Sequence, residues 1–287
     1  VVLHFSCDSL TCRSVVEMIL PACFLGRVTL VSKILVIGKY YYPSVGGMEE
    51  VTRLLCEDMA RKRSVKALVF NHEAGNFQEV VDGVTVERHH VEMTCSSQPV
   101  SLSFAASLFR GRWDMIYFHA PNVFASLFLV LRYALFDRHS KLVIFHHMDI
   151  YGRPFSSKIA RYLYNILIAK AHGVIVTSRK YAEVSRDIRR PVPIIEVPLG
   201  IDPDSYDLTR EQREQAMEWR RSLAGDAPVV GFVGRHVRYK GLPFLVRALA
   251  QMPDVHAFIA GDGPEREPAQ RLLTNWALRI GCIFWGM

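Results

Sequence analysis

A histidine and an aspartate follow the apolar segment 142–145, in the order His147-Met148-Asp149. An imidazole next to a carboxylate can serve as a general base that the carboxylate orients, and the two side chains can also ligate a metal ion. A zinc site needs a third and a fourth ligand, and no neighbouring segment supplies them at a recognisable spacing. The alternative is a buried histidine with satisfied hydrogen bonds and a structural role. Taken without its context, His147 favours this alternative.

Two cations, Arg235 and Lys240, lie between a strand pattern that ends at Gly234 and a helix pattern that begins at Leu242. Cations beside a helix N-terminus suit a diphosphate, because one guanidinium can contact two phosphate oxygens. Two solvated surface charges are the alternative interpretation. The placement between a strand and a helix favours diphosphate binding.

The glycine pair Gly46-Gly47 precedes a helix pattern at 48–62. Two glycines let backbone N–H groups approach a ligand closely, and a helix N-terminus favours an anion. An ordinary strand-to-helix turn has the same sequence. The chain contains neither GxGxxG nor GxxxxGK[ST], so the sequence supports neither a dinucleotide fingerprint nor a P-loop.

Short apolar segments alternate with amphipathic segments between residues 33 and 200. The predicted strands are 33–38, 65–70, 115–118, 142–145, 173–177 and 194–197, with an extended pair at 80–89 that turns at Asp82-Gly83, and the predicted helices are 48–62, 123–136 and 156–171. This alternation predicts an α/β fold with helices on both faces of a parallel sheet, whose ligands bind beyond the carboxyl ends of the strands. The residues predicted at those ends are Gly46, Gly47, His119, His147, Asp149 and Ser178.

A charged segment, 202–228, is typical of a linker with one helix, and a second alternation follows it. This second region has predicted strands at 229–234, 256–260 and 283–285 and predicted helices at 242–252 and 263–278. We therefore divide the chain into an N-terminal extension without assigned role (1–32), a first domain (33–200), and a linker with a partial second domain (201–287). Because a doubly wound domain usually needs more strands, we expect the chain to be cut short at its C-terminus.

The composition is that of a globular protein, since 50% of the 287 residues are hydrophobic and 22% are charged. Lys and Arg number 35 and Asp and Glu 28, and the net charge of +7 favours anionic partners. Phosphorylated metabolites and acidic lipid surfaces both fit, whereas no motif supports nucleic-acid binding. The six cysteines form no CxxC pair, so we expect reduced thiols in a cytoplasmic protein.

Basic residues accompany the apolar residues of the predicted helix 156–171. They are Lys158, Arg161 and Lys170, and Arg110, Arg112, Arg132 and Arg138 lie elsewhere in the chain. Such a set suits peripheral contact with the inner face of an anionic membrane, whereas a half-buried, half-solvated helix is the alternative. No uninterrupted apolar segment is long enough to span a bilayer.

Seven segments in chain order together resemble the retaining glycosyltransferases of family 4, which have the GT-B fold. The segments are 38–49 (GKYYYPSVGGME), 118–122 (FHAPN), 147–149 (HMD), 176–178 (VTS), 197–202 (VPLGID), 232–235 (FVGR) with 239–241 (YKG), and 259–263 (IAGDG). Each segment is weak evidence alone, whereas the ordered set is specific. The resemblance covers residues 33–287.

The resemblance implies two Rossmann-like, doubly wound domains that face each other across a cleft, the second of them incomplete. The first binds the acceptor, and the second binds a nucleotide-diphosphate sugar. By position, Arg235 and Lys240 stabilise the charge on the leaving diphosphate, and His147 contacts the transferred sugar. The other residues carried over are Gly46, Gly47 and Gly263 for the donor, and His119, Asn122 and Asp149 for the acceptor side, with Asp149 supporting its loop.

The resemblance further implies a hexosyltransferase that needs no metal, because the cations replace it, and that retains the anomeric configuration by front-face attack within an ion pair. The acceptor is expected to be a saccharide or a lipid-linked saccharide in polysaccharide biosynthesis. The family's donor domain goes on to a Glu-x7-Glu motif that holds the donor, and this chain ends at Gly286-Met287, before the position of that motif. A non-catalytic fragment or binding protein that keeps the fold without a complete donor site is therefore the alternative.

Overall fold

The computed structural model describes residues 32–44, 46–95, 98–137, 139–150, 154–200, 207–275 and 283–285. The chain divides into two compact units between residues 201 and 202. The predicted N-terminal extension lies outside the described residues except for Ser32. Within the described part of the chain, no helix has the length and apolar character that a membrane crossing requires.

The first unit is built from strands that alternate with helices, as predicted. Its strands are β1 (Lys33–Ile37), β2 (Ser64–Asn71), β3 (Phe77–Val81), β4 (Val84–His90), β5 (Met93–Cys95), β6 (Gln98–Val100), β7 (Met115–Ala120), β8 (Lys141–His146), β9 (Gly173–Val176) and β10 (Ile194–Glu196). Its helices are α1 (Gly47–Ala60), α2 (Leu102–Leu108), α3 (Val123–Leu135), α4 (Pro154–Lys170) and α5 (Arg179–Val184).

Eight of these strands form one sheet in the order β10-β9-β8-β7-β1-β2-β4-β3. All neighbours pair in parallel except β3 and β4, which are antiparallel. The predicted turn between them is confirmed, since Asp82 and Gly83 both have positive φ values, 47° and 81°. The strand order reverses beside β1, and in such sheets ligands bind at the carboxyl ends next to that reversal.

Both faces of the sheet are buried, because successive side chains of each strand enter opposite apolar clusters. Leu35 and Ile37 of β1 pack in one cluster with residues of α2, α3 and α4. Ile34 and Val36 pack in the other with Leu55 and other residues of α1. This arrangement confirms the predicted α/β class with helices on both faces.

Two short elements between β4 and β7 were not predicted from the sequence. The hairpin of β5 and β6 is antiparallel and separate from the main sheet. Helix α2 follows it, with the Ser101 hydroxyl accepting a hydrogen bond from the Phe104 N–H at 3.3 Å. Both elements are shorter than the length over which a hydrophobic period can be recognised.

Arg132 was predicted on a membrane-facing basic surface, and this prediction is wrong. The side chain is buried and its Nε donates to Asp137 Oδ2 at 2.8 Å. Its other nitrogens donate to the carbonyl oxygens of Leu108, Arg110 and Gly111. A guanidinium has five donors in a planar fork, so it can tie a loop together where the sequence shows only a charge.

The second unit has a three-stranded parallel sheet in the order β11-β12-β13. The strands are β11 (Val229–Val233), β12 (His256–Ala260) and β13 (Ile283–Trp285), and the helices are α6 (Arg210–Ala224), α7 (Leu242–Leu249) and α8 (Arg266–Asn275). Leu242, Val246 and Leu249 of α7 pack with Ala257 and Ile259 of β12. The predicted helix 263–278 begins three residues later than expected, because Gly263 has a φ of 148° that helices exclude.

The segment predicted as a linker contains α6, which begins with a capping box. The Thr209 hydroxyl accepts from the Gln212 N–H, and the Gln212 side chain accepts from the Thr209 N–H. None of the helical residues is buried, and Trp219 contacts Phe258 edge-to-face with ring centroids 5.1 Å apart. Helix α6 is therefore stabilised mainly by local capping rather than by burial.

Candidate functional site

Two histidines meet at the carboxyl edge of the first sheet. His119 is the penultimate residue of β7, and His147 follows the last residue of β8. Strands β7 and β8 are in register with His119 opposite Phe145, and the His147 N–H donates to the Ala120 carbonyl at 3.0 Å. The backbone therefore holds the two imidazoles side by side.

The two rings are hydrogen bonded and stacked. His119 Nδ1 lies 2.9 Å from His147 Nε2, and the ring planes differ by 18°. The His147 ring also stacks on Phe145 at a centroid distance of 4.3 Å. Burial, and then the neighbouring His146, lowers the pKa of His147 to about 4, and burial and His147 lower that of His119 well below its ordinary value. Both rings are therefore neutral at pH 7.

Helix α1 contacts this histidine pair through Thr52, a residue that no sequence pattern singles out. Thr52 Oγ1 lies 3.3 Å from His119 Nδ1. Its hydroxyl proton is used elsewhere, because it donates to the Met48 carbonyl at 2.7 Å. Thr52, in the second turn of α1, thus links His119 to the carbonyl of Met48 in the first turn, where an anion would bind.

The predicted glycine pair lies at the N-terminus of α1. Gly46 is the N-cap residue and its carbonyl accepts from the Glu50 N–H at 2.9 Å. A Cβ at Gly46 would lie 2.1 Å from Glu49 Oε2, so the Glu49 carboxylate lies over this glycine. A Cβ at Gly47 would meet no atom of the described residues within 4 Å. The space beside Gly47 is open to a ligand at the helix N-terminus.

Asp149 is paired with His146 and not with His147. His146 Nε2 lies 3.3 Å from Asp149 Oδ1, and His146 Nδ1 lies 2.7 Å from the Tyr164 hydroxyl. The carboxylate also accepts from the Ser185 hydroxyl at 2.5 Å and from the Arg186 N–H at 3.0 Å. The alternative in which Asp149 orients His147 as a base is therefore wrong, whereas the predicted support of the loop fits these contacts.

The charge of Asp149 is fixed by its partners. Burial alone would raise the pKa of Asp149, but the Ser185 and Arg186 hydrogen bonds and His146 outweigh it and hold the pKa below its ordinary value. An ionised carboxylate only accepts hydrogen bonds, so His146 Nε2 carries the proton. His146 Nδ1 then accepts from the Tyr164 hydroxyl. Each polar atom that links Tyr164 through His146 to Asp149 thus has a hydrogen-bond partner.

Asn122 and Ser178, which follow β7 and β9, are the N-cap residues of α3 and α5. The Asn122 side chain is buried and its Oδ1 accepts from the Ala125 N–H at 3.0 Å. Ser178 caps α5 without a side-chain hydrogen bond. The acceptor-side role predicted for Asn122 stays a prediction, and the helix cap is a contact that the sequence did not indicate.

The predicted cations of the second unit lie between β11 and α7. Arg235 and Lys240 are both exposed, and Lys240 ends the single 3-10 turn Arg238–Lys240. Gly241, with a φ of 82°, then starts α7. Both charges are thus accessible at a helix N-terminus, as a diphosphate site requires.

Gly263, predicted to bind the donor, lies in the loop after β12 and packs against the loop after β11. A Cβ at Gly263 would lie 2.5 Å from the His236 carbonyl oxygen, and one at Gly261 would lie 2.0 Å from the Gly234 carbonyl oxygen. Both glycines have positive φ values, 148° and 130°. Glycine is therefore required here by the close approach of two backbone segments.

Among the residues that the structure describes, no group of three His, Cys, Asp or Glu side chains is placed to hold a metal ion. The metal-ligand alternative for His147 and Asp149 thus has no supporting third ligand in that part of the chain.

The first unit also matches a known family. Residues 45–205, more than half of the chain, match the profile of Glycosyltransferase Family 4. The chain belongs to Glycosyltransferase Family 4.

Curated relatives of this family 4 chain match only parts of it. It is 44% identical over 50 residues to the lipopolysaccharide core biosynthesis glycosyltransferase LpsE of Rhizobium meliloti, covering 17% of this chain and 15% of that protein. It is 27% identical over 147 residues to the alpha-D-kanosaminyltransferase of Streptomyces kanamyceticus, covering 49% of this chain and 38% of that protein. The chain thus spans less than half the length of these relatives.

Solved structures share the fold of this family 4 chain. The Anabaena protein Alr3699/HepE, crystallised with UDP and glucose, superimposes with a TM-score of 0.63 at 20% identity, covering 89% of this chain and 69% of that one. The apo structure of OtsA superimposes with a TM-score of 0.59 at 13% identity, covering 89% and 74%. These likenesses confirm the GT-B class of α/β fold.

Proposed function

We propose that this protein is a hexosyltransferase that moves a sugar from a nucleotide-diphosphate sugar to a saccharide or lipid-linked acceptor. The observation that carries the proposal is the neutral pair His119 and His147 at the carboxyl edge of the sheet, linked by Thr52 to the N-terminus of α1. A neutral imidazole can hydrogen bond to a sugar hydroxyl without adding a charge next to an oxocarbenium-like centre. The open space at Gly47 suits the anionic end of the same donor.

The two exposed cations of the second unit support the same chemistry. When the glycosidic bond to the diphosphate breaks, negative charge grows on the leaving oxygen, and Arg235 and Lys240 stabilise it there. Two fixed cations can take the place of a divalent metal in this role. We therefore propose transfer without a metal cofactor, with retention of the anomeric configuration by front-face attack within an ion pair.

The names of relatives point to the same class of donor and acceptor. LpsE is named for lipopolysaccharide core biosynthesis, and the HepE crystals contain UDP and glucose. By analogy, an acceptor in surface polysaccharide assembly and a UDP-linked hexose are the first compounds to test.

The test uses the complete natural gene product and a panel of UDP-, GDP- and ADP-linked hexoses, with lipid-linked saccharides as acceptors. We expect transfer from one donor in the presence of EDTA, and a product whose anomeric proton coupling, recorded before mutarotation, matches that of the donor. Binding of a nucleotide sugar without transfer to any acceptor would instead favour the non-catalytic alternative. An inverted product would overturn the retaining mechanism.

His147→Ala provides the internal check on the proposed site. The variant should lose at least about tenfold in kcat, because a contact to the transferred sugar is removed. The variant should still fold and unfold cooperatively, since the His147 side chain is only partly buried. Loss of the fold would show that this histidine is structural.

We also propose peripheral contact of the first unit with an anionic membrane. Helix α3 exposes Leu135 and is followed by exposed Phe136, and helix α4 exposes Ile159 and Tyr162 beside Lys158. Exposed apolar side chains beside cations suit the interface of an anionic bilayer. Sedimentation with vesicles of anionic and of zwitterionic lipid tests this, and equal retention on both would count against it.

A further inference from the structure

We propose that His119 and Thr52 act as positioning residues that fix the tautomer of His147, so that His147 presents an Nδ1–H donor to the substrate. The proposal deepens the proposed function, because it states which atom of His147 meets the transferred sugar. It rests on three hydrogen-bond contacts that link four groups, from the Met48 carbonyl through Thr52 and His119 to His147.

The Thr52 hydroxyl determines the direction of these hydrogen bonds. Its single proton goes to the Met48 carbonyl at 2.7 Å. Oγ1 therefore faces His119 Nδ1 with a lone pair, at a distance of 3.3 Å. A bare Nδ1 would place two lone pairs against each other, whereas an Nδ1–H is attracted by the oxygen. The threonine thus favours the proton on His119 Nδ1.

The proton on His119 Nδ1 determines the state of the second ring. At 2.9 Å from His147 Nε2, this N–H donates its main hydrogen bond to that nitrogen. His147 Nε2 must then be bare, and a neutral imidazole carries its one proton on the other nitrogen. His147 Nδ1–H is therefore the donor that remains for a ligand.

The opposite arrangement leaves a buried donor without an acceptor. If His147 Nε2–H donated to His119, the proton of His119 would lie on Nε2. That atom is buried and has no hydrogen-bond partner among the described residues. An unsatisfied buried N–H is unfavourable, and this tautomer would also bring the bare Nδ1 against Thr52 Oγ1. Both effects select the same tautomer.

The burial of His119 separates its role from that of His147. Its side chain is 4% exposed and lies between Thr52, Phe145 and His147. A group so enclosed cannot contact an acceptor directly, although the family resemblance implied an acceptor-side role for it. Its effect on the reaction would instead pass through the hydrogen bond to His147.

The experiment records long-range proton–nitrogen correlations of the histidine rings in the wild-type chain without substrate. The four cross-peaks of a neutral imidazole identify the protonated nitrogen, and we expect Nδ1–H at His147 and at His119. An Nε2–H tautomer at His147 would overturn the proposal. Because no substrate is present, the result stands or fails independently of the proposed transferase activity.

Two nearly isosteric variants test the direction of the hydrogen bond. In His119→Asn the amide nitrogen can overlay Nδ1 and donate to His147 Nε2, whereas the carboxylate of His119→Asp only accepts. We expect His147 to keep Nδ1–H in the first variant and to gain Nε2–H in the second. Transfer by His119→Asn should exceed that by His119→Asp by about tenfold, mainly in kcat. An unchanged His147 spectrum in a folded His119→Asp would also overturn the proposal.

If the buried carboxylate prevents folding of His119→Asp, Thr52→Val supplies the second measurement. Valine keeps the shape of threonine and removes the oxygen that favours the proton on His119 Nδ1. We expect the spectrum of His147 to show a mixture of both tautomers in this variant, and a spectrum identical to that of the wild type would contradict the role of Thr52.

Discussion

His146, the last residue of β8, and Asp149, in the loop that follows, form a hydrogen-bonded pair with Nε2 and Oδ1 3.3 Å apart, in which the ring is buried and the carboxylate partly buried. Through Tyr164 and Ser185 this pair ties the start of the 147–150 loop to α4 and to the segment that follows α5. The position of His147 therefore depends on a network to which its own side chain does not belong.

Asp149→Asn should lower the free energy of unfolding by about 2 kcal/mol at pH 7, since it removes an ionised acceptor and turns an amide NH2 towards existing donors. The folded-state pKa of Asp149 lies below its ordinary value. Its contribution is thus present above the unfolded pKa of about 4 and is lost as the pH falls through the folded pKa. Urea denaturation at pH 7 and pH 3 measures this, and an equal difference at both pH values would contradict it.

Arg132→Met should destabilise the first unit by about 3 to 5 kcal/mol, because it leaves the Asp137 carboxylate buried without its cation. The carbonyls of Leu108 and Gly111 would lose their donors as well. Arg112→Met, at an exposed position, is the matched control and should change the stability by less than about 0.5 kcal/mol. Comparable losses in the two variants would show that the buried network is not what stabilises this loop.

The order of strands and helices could be predicted from the sequence because it depends on local patterns. The turn at Asp82-Gly83 needs only two residues that tolerate positive φ. The strand β1 needs only a run of apolar residues before a glycine. The predicted bounds of these elements agree with the structure to within a few residues for this reason.

The hydrogen-bond partners at the site could not be predicted from the sequence. They depend on the exact residue at which strand β8 ends and on contacts between segments that are distant in the chain. Strand β8 extends to His146, one residue beyond the prediction, so that His146 contacts Tyr164 on one face of the sheet and His147 stacks on Phe145 on the other. Asp149 then meets His146, together with Ser185, 36 residues along the chain. Thr52 likewise reaches His119 across 67 residues, a separation that no local pattern encodes.

Arg235→Ala and Lys240→Ala should each lower kcat by at least about tenfold. Each substitution removes a charge that stabilises the transition state more than it stabilises the bound donor. Both side chains are exposed, so neither substitution should change the melting temperature measurably. Arg238→Ala is the matched control, since Arg238 is an exposed cation of the same turn. Its activity should stay within about twofold of the wild type. If all three variants kept full turnover, Arg235 and Lys240 would be surface charges and the diphosphate site would lie elsewhere.

The pH dependence of stability should reveal the neutral state of His147. Burial lowers its pKa in the folded protein to about 4, against about 6.5 in the unfolded chain. Between these values the unfolded chain binds more protons, so the free energy of unfolding rises with pH from 4 to 6.5 and is constant with respect to this group above 6.5. His147→Asn removes this titrating ring and should reduce the slope of the curve in this window, to which the buried His119 also contributes, as urea titrations at half-unit pH intervals would measure. The same neutral ring should keep transfer by the wild type independent of His147 ionisation above about pH 5. The stability curves of His147→Asn and of the wild type could instead run parallel from pH 4 to 6.5. The ring would then be protonated as readily in the folded protein as in the unfolded chain, and the assignment of a neutral donor at the site would be wrong.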